Sequence, residues 1–178
     1  MSRSLFAILA GTLASTALVA GAVSTPAPLD DATIVAIFDA ANTADIETGT
    51  LAVERGQSPE VRDYGAMLVR DHTAVRQMGR DLAKKLGVTP TPPADDAGAK
   101  SHADAMARLR KVPAAQFDQA FLAHEVTFHQ GVIDALNTTL VPAITNAELK
   151  ALVVKVAPAF EGHRDGAATI AKKLRGGK

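Results

Sequence analysis

Four long stretches of this sequence place apolar residues three and four apart, and none alternates apolar and polar residues over the length of a strand. A 3.6-residue rhythm buries one stripe of each segment, so the chain is expected to be all-α. The first helix is predicted from about Asp31 to Arg55, with Asp30 and Asp31 as caps and Gly56 as its stop. Ser58-Pro59-Glu60 reads as N-cap, first helical proline and first-turn acid, and opens a second helix that runs to about Leu86 and ends at Gly87. A third follows Pro113, from about Ala114 to Thr139, where Pro142 is expected to break the chain. A fourth runs from about Asn146 to Leu174, and the Gly-Gly-Lys end is expected to fray.

The connections decide the topology. The first two helices are joined around Gly56 and Gln57, and the last two around Pro142, so each pair is expected to form an antiparallel hairpin. Between the hairpins lie residues 88–113, which start with the Pro-rich TPTPPADDAG and continue as a short helix from about Ala99 to Arg110. A 25-residue helix is about 38 Å long, and this crossover can span it. Two hairpins and a long crossover make a ferritin-like four-helix bundle rather than an up-down-up-down one. Neither hairpin alone buries enough apolar surface to stand, which makes residues 23–178 one domain.

Residues 1–22 read differently. Arg3 precedes a weakly polar run, LFAILAGTLASTALVAGAV, whose Ala20-Gly21-Ala22 is a small-x-small cleavage pattern. Its Ala, Gly and Thr content is poor for a permanent span, so a signal peptide cleaved near Ala22 is expected, with periplasmic or other export and no stable membrane span left afterwards. Losing Arg3 leaves 18 basic against 19 acidic residues, so no basic surplus draws the chain to nucleic acid. An exported chain without Cys gains nothing from disulfides, and its stability rests on packing or on a bound ligand.

Polar residues interrupt each apolar stripe at one level. In the third helix Phe117, Phe121, Phe128, Val132 and Leu136 define an arc centred on Glu125, with His129 one turn further and His124 at the opposite edge. In the fourth, His163 lies in the stripe from Leu149 to Leu174; in the second, apolar residues bracket Asp71, with His72 on the shoulder. In the first, Asp45 falls among Ile34, Ile37, Phe38, Ala41 and Ala52, and Glu47 lies on the flank. All lie near mid-helix, where buried carboxylates and imidazoles persist by pairing with one another or by holding a cation. Oxygen and imidazole donors suit Fe, Mn or Zn.

Sharper motifs fail. A zinc-protease helix needs histidines four apart, and His124 and His129 are five apart, about 140° from each other. The di-iron Glu-x-x-His pattern is missing, because Glu125 is followed by Phe128 and Glu161 by Arg164. His102, in the crossover, reads as a solvated surface residue. There is no Cys nucleophile, no Gly-rich phosphate loop and no Ser nucleophile elbow.

The segments from Ala44 to Thr73, from Phe117 to Leu136 and from Asn146 to His163 resemble the exported bacterial family catalogued as domain of unknown function 4142, itself similar to ferritin-like bundles. The resemblance covers essentially the whole mature chain and implies the fold and the export route. The family's recurring polar residues match Glu47, Asp71, His72, His129 and His163. The helical wheel favours Asp45 over Glu47, and Glu47 joins the candidates because a small rotation of the first helix would bring it inward. The candidate metal ligands are therefore Glu47, Asp71, His72, Glu125, His129 and His163. The readings left open are an exported bundle holding a metal or a polar network, a structural protein recognising an envelope partner, and a metal-dependent oxidase.

Overall fold

The computed structural model describes residues 29–176, and they form a ferritin-like helical bundle. The signal-peptide reading of residues 1–22 and the fraying of Gly177 and Lys178 lie outside the described residues. In chain order the elements are α1 Asp31–Arg55, α2 Pro59–Leu86, α3 Ala97–Lys111, α4 Ala114–Ala135, a π turn Leu136–Leu140, α5 Val141–Ala143 and α6 Ala147–Gly176. The helices pack as two antiparallel hairpins, α1 along α2 and α4 along α6, with α3 lying on the crossover against α1 and α4. Among the described residues there is no strand.

Local chemistry sets the ends. The Asp30 carboxylate accepts from the Thr33 N–H at 2.7 Å, and the Ser58 hydroxyl accepts from the Val61 N–H at 3.3 Å. Gly87 closes α2 at φ +67°, where a side chain would be strained. The turns are tied to the opposite hairpin. Asp118 accepts from the Gln57 and Ser58 N–H groups, each at 2.8 Å, and Asp31 from those of Thr145 and Asn146, each at 2.9 Å. Arg55 donates to the carbonyls of Leu109, Arg110 and Val112, which holds the end of α3 against the bundle.

Pro142 does not break the chain where the sequence reading put the end of the third helix. The helix continues to Ala143 through the π turn, in which the Val141 N–H donates to the Leu136 carbonyl five residues back. That extra residue moves the missing N–H of Pro142 into the first turn of a new segment, where helices tolerate proline, and the backbone leaves the helix at Ile144.

The core is divided into two apolar clusters. One gathers Ile34, Phe38, Ile133, Leu136, Leu149, Val153 and Phe160; the other gathers Leu51, Ala52, Tyr64, Leu68, Phe117, Phe121 and Ala167. Each holds one half of every long helix. Between them, at mid-bundle, lies a layer of buried polar side chains: Asn42, Asp45, Thr48, His72, Glu125, His129 and His163.

Candidate metal centre

All four long helices contribute to this layer because each carries its polar residue at the same height. On α1, Asn42, Asp45 and Thr48 are spaced by three and share one face. Helix α2 supplies His72, α4 supplies Glu125 and His129 one turn apart, and α6 supplies His163. Asp45, His72, Glu125 and His129 are at most 2% exposed.

Hydrogen bonds fix which ring nitrogen faces the centre. Asn42 Nδ2 donates to the Phe38 carbonyl at 2.8 Å, so its Oδ1 is an acceptor, and His72 Nδ1–H donates to it at 2.9 Å. His72 Nε2 therefore carries a bare lone pair. His129 Nδ1–H donates to the Glu125 carbonyl at 2.9 Å, which leaves its Nε2 bare and without a partner. His163 Nε2 faces Asp71 Oδ2 at 3.4 Å, and its Nδ1 faces His72 Nε2 at 3.1 Å. The three imidazoles thus present nitrogens that lie within 4.8 Å of one another.

Neither neutral form of His163 satisfies both sides. With the proton on Nε2, toward the Asp71 carboxylate, two lone pairs meet at 3.1 Å between His163 and His72. With the proton on Nδ1, the bare Nε2 meets the carboxylate instead. A doubly protonated ring would satisfy both, but burial lowers the His163 pKa. Burial, helped by neighbouring histidines, also pushes His72 down to about 3, and burial pushes His129 down to about 4, so both rings are neutral near pH 7.

The carboxylates complete the layer. Asp45 Oδ2 lies 3.4 Å from His72 Nε2 and Asp45 Oδ1 lies 3.6 Å from His129 Nε2. Glu125 Oε2 is 3.4 Å from His129 Nδ1. Asp45 Oδ2 and both Glu125 carboxyl oxygens are buried without hydrogen-bond partners. Burial raises the pKa of Glu125 to about 8, and burial together with the charge of Glu125 raises that of Asp45. Asp45, Glu125 and His129 also place one donor atom each within 4.8 Å of one another. Phe160 seals one side, its ring 5.4 Å from that of His72 and 6.0 Å from that of His129.

The six residues singled out from the sequence fall in three places. His72, Glu125, His129 and His163 lie in the layer, and Asp71 lies at its rim, part-exposed against His163. Glu47 is outside it, which corrects its inclusion among the ligands. Its side chain is exposed, and its Oε2 meets Nε2 of His102 at 2.8 Å. The cause is the helical period: Glu47 lies about 200° from Asp45 on α1, so no small rotation brings both inward. His102 is consequently not a free surface residue but a half-buried link from α3 to α1. Asn42 and Thr48 were missed, although Asn42 lies one turn after Phe38, about 40° from it on the apolar face, and was legible there.

Fold and site together define a helical bundle with a buried histidine and carboxylate layer at its midpoint. The family described as Domain of unknown function (DUF4142) matches residues 15–170, and the chain belongs to that family. Two solved structures share the fold. "CopM in the Cu(II)-bound form" aligns with a TM-score of 0.62 and 12% identity over 82% of this chain and 98% of that one. A DUF305 fragment from Deinococcus radiodurans aligns with a TM-score of 0.69 and 16% identity over 82% of this chain and 99% of that one. No curated protein matches. Among the described residues, no helix is long and apolar enough to cross a membrane.

Proposed function

We propose that the protein is an exported bundle that holds one divalent transition-metal ion at mid-bundle, bound by His72 Nε2, His129 Nε2 and His163 Nδ1 with Asp45 as the fourth donor. The observation that carries this reading is the convergence of three imidazole nitrogens, two of them left bare by hydrogen bonds on the far side of their rings. Ligands about 2.0–2.1 Å from a tetrahedral ion sit about 3.3–3.4 Å from one another. The 3.1 Å between His72 Nε2 and His163 Nδ1 and the 3.4 Å between His72 Nε2 and Asp45 Oδ2 come close to that spacing, and His129 Nε2 lies 3.6 Å from the other Asp45 oxygen, Oδ1. A cation placed there removes the lone-pair conflict at His163 and supplies a partner for Asp45 Oδ2.

Nitrogen-rich donors of this kind favour Cu(II) and Zn(II) over Mn and Fe, with Cu(II) first in intrinsic affinity. The copper-bound state of CopM, which shares the fold, supports adding copper to the Fe, Mn or Zn read from the sequence. Asp71, facing His163 Nε2, and Asn42 serve as supports that orient the ligands. Export rests on the signal-like residues 1–22.

A second reading has its own support. The raised pKa values of Asp45 and Glu125 favour protonated, uncharged carboxyls, which is how a metal-free network would neutralise the layer. The two readings are separated by metal analysis and melting of the purified protein before and after a strong chelator. About one equivalent of metal, with a melting temperature that falls on chelation, is expected. Metal below about a tenth of an equivalent with an unchanged melt rejects the metal reading. His163→Phe is expected to lose the metal; under the network reading it costs only stability, by about 1–3 kcal/mol.

A further inference from the structure

We propose that His163 is the exchanging ligand of this centre, so that metal enters and leaves through the seam between α2 and α6 by an outward swing of that residue toward Asp71. This rests on the metal reading above and concerns the route rather than the site. Burial falls off from the layer through His163 to Asp71 and Arg70. Glu125 and His129 are fully buried, and Asp45 and His72 nearly so. The His163 side chain is 10% exposed, Asp71 is 34% exposed and Arg70 70%.

The other ligands are locked from behind by buried groups. His72 is held by the fully buried Asn42, and His129 by the carbonyl of Glu125 inside α4. The two apolar clusters close the layer above and below. His163 alone among the three imidazoles has its outer nitrogen on a group that reaches water. An incoming hydrated cation meets the Asp71 carboxylate first. Arg70 Nε donates to Asp71 Oδ1 at 2.8 Å, and as an exposed pair it yields easily.

Helix α6 is locally softened where the swing is needed. Pro158, five residues before His163, leaves the Val154 carbonyl without its helical donor. Gly162 and Gly166 flank His163, and glycine lowers the cost of opening a helix. A Cβ added at Gly162 would meet nothing within 4 Å, and one at Gly166 would make ordinary contact with the Tyr64 ring at 3.4 Å, so close packing does not require either glycine. The Tyr64 hydroxyl donates to the His163 carbonyl at 2.9 Å and holds the closed position from α2.

The test is the exchange rate of Zn(II), with the full-length protein loaded and then mixed with excess chromogenic chelator. Gly162→Ala and Gly166→Ala are each expected to slow release by roughly fivefold, because each disfavours local opening of the helix. Loading should slow by the same factor, leaving the dissociation constant unchanged. Gly131→Ala, in α4 two residues beyond the sealed His129 and with open space at its Cβ position, should leave both rates unaltered. Release from the Gly162 and Gly166 variants at the wild-type rate, or equal slowing by Gly131→Ala, overturns the route. A wild-type protein that takes up no Zn(II), Cu(II) or other transition metal overturns the metal reading itself.

Discussion

Asn42 shows what single side chains do in this layer. It takes no part in the proposed coordination, yet its amide bonds decide which nitrogen His72 turns inward. Asn42→Leu keeps the volume and removes the acceptor, leaving the His72 N–H buried and unpaired at a cost of about 1–3 kcal/mol. With the tautomer no longer fixed, metal affinity should fall about 10–100-fold. Denaturation of the chelated protein and competition titration of the loaded one measure the two effects separately. An unchanged affinity would mean that His72 does not ligate through Nε2. The same scale explains the exclusion of Glu47: two residues beyond Asp45, it belongs to the opposite side of α1 whatever the family pattern.

The pairing of α1 and α2 depends on glycines rather than on large side chains. A Cβ at Gly65 would lie 2.6 Å from the Gly49 carbonyl oxygen and 2.8 Å from the Ala52 Cβ, and one at Gly49 would lie 2.7 Å from the Gly65 carbonyl oxygen. Backbones approach there too closely for any side chain, a few residues from Asp45 and His72. Gly65→Ala therefore sets a helix-propensity gain of about 1 kcal/mol against overpacking of about 1–3 kcal/mol, and the clash should win because a backbone carbonyl cannot step aside. Gly131→Ala, with open space around it, should gain stability instead. Thermal melts of the two variants, side by side, check the sign; a stabilised Gly65→Ala would refute the close crossing.

For the whole molecule the polar layer makes metal-free stability depend on pH from both sides. His72 and His129 have folded pKa values of about 3 and about 4, below the ordinary 6.5, so the unfolded chain binds their protons more tightly. Stability is then lost as pH falls from 6.5 toward those values. Glu125 is the reverse case. Its folded pKa of about 8 lies above the ordinary 4.5, so the folded state keeps the proton and stability is lost as pH rises from 4.5 through 8. Urea titrations of chelated protein across this range should trace both limbs. Glu125→Gln should shrink the alkaline limb to the part that buried Asp45 contributes and be more stable than the wild type at pH 8; identical profiles would show that Glu125 is not a buried acid.

The helices, their caps and the order of hairpin, crossover and hairpin were written in local signals: the apolar rhythm, Asp30, Ser58-Pro59, Gly56 and Gly87 each act within a turn or two of chain. That the polar residues share one level was legible too, because rise per residue converts position into height. What remained was rotation and register. Whether Asp45 or Glu47 points inward and which nitrogens of His72 and His163 face the centre depend on atoms 30 to 92 residues away in the chain, and the turn after the third helix is tied to Asp31, 114 and 115 residues away. Such contacts carry no local signature, since they exist only when two hairpins have closed on each other, and it is that closure which turns seven scattered polar residues into one buried layer with Glu47 left outside.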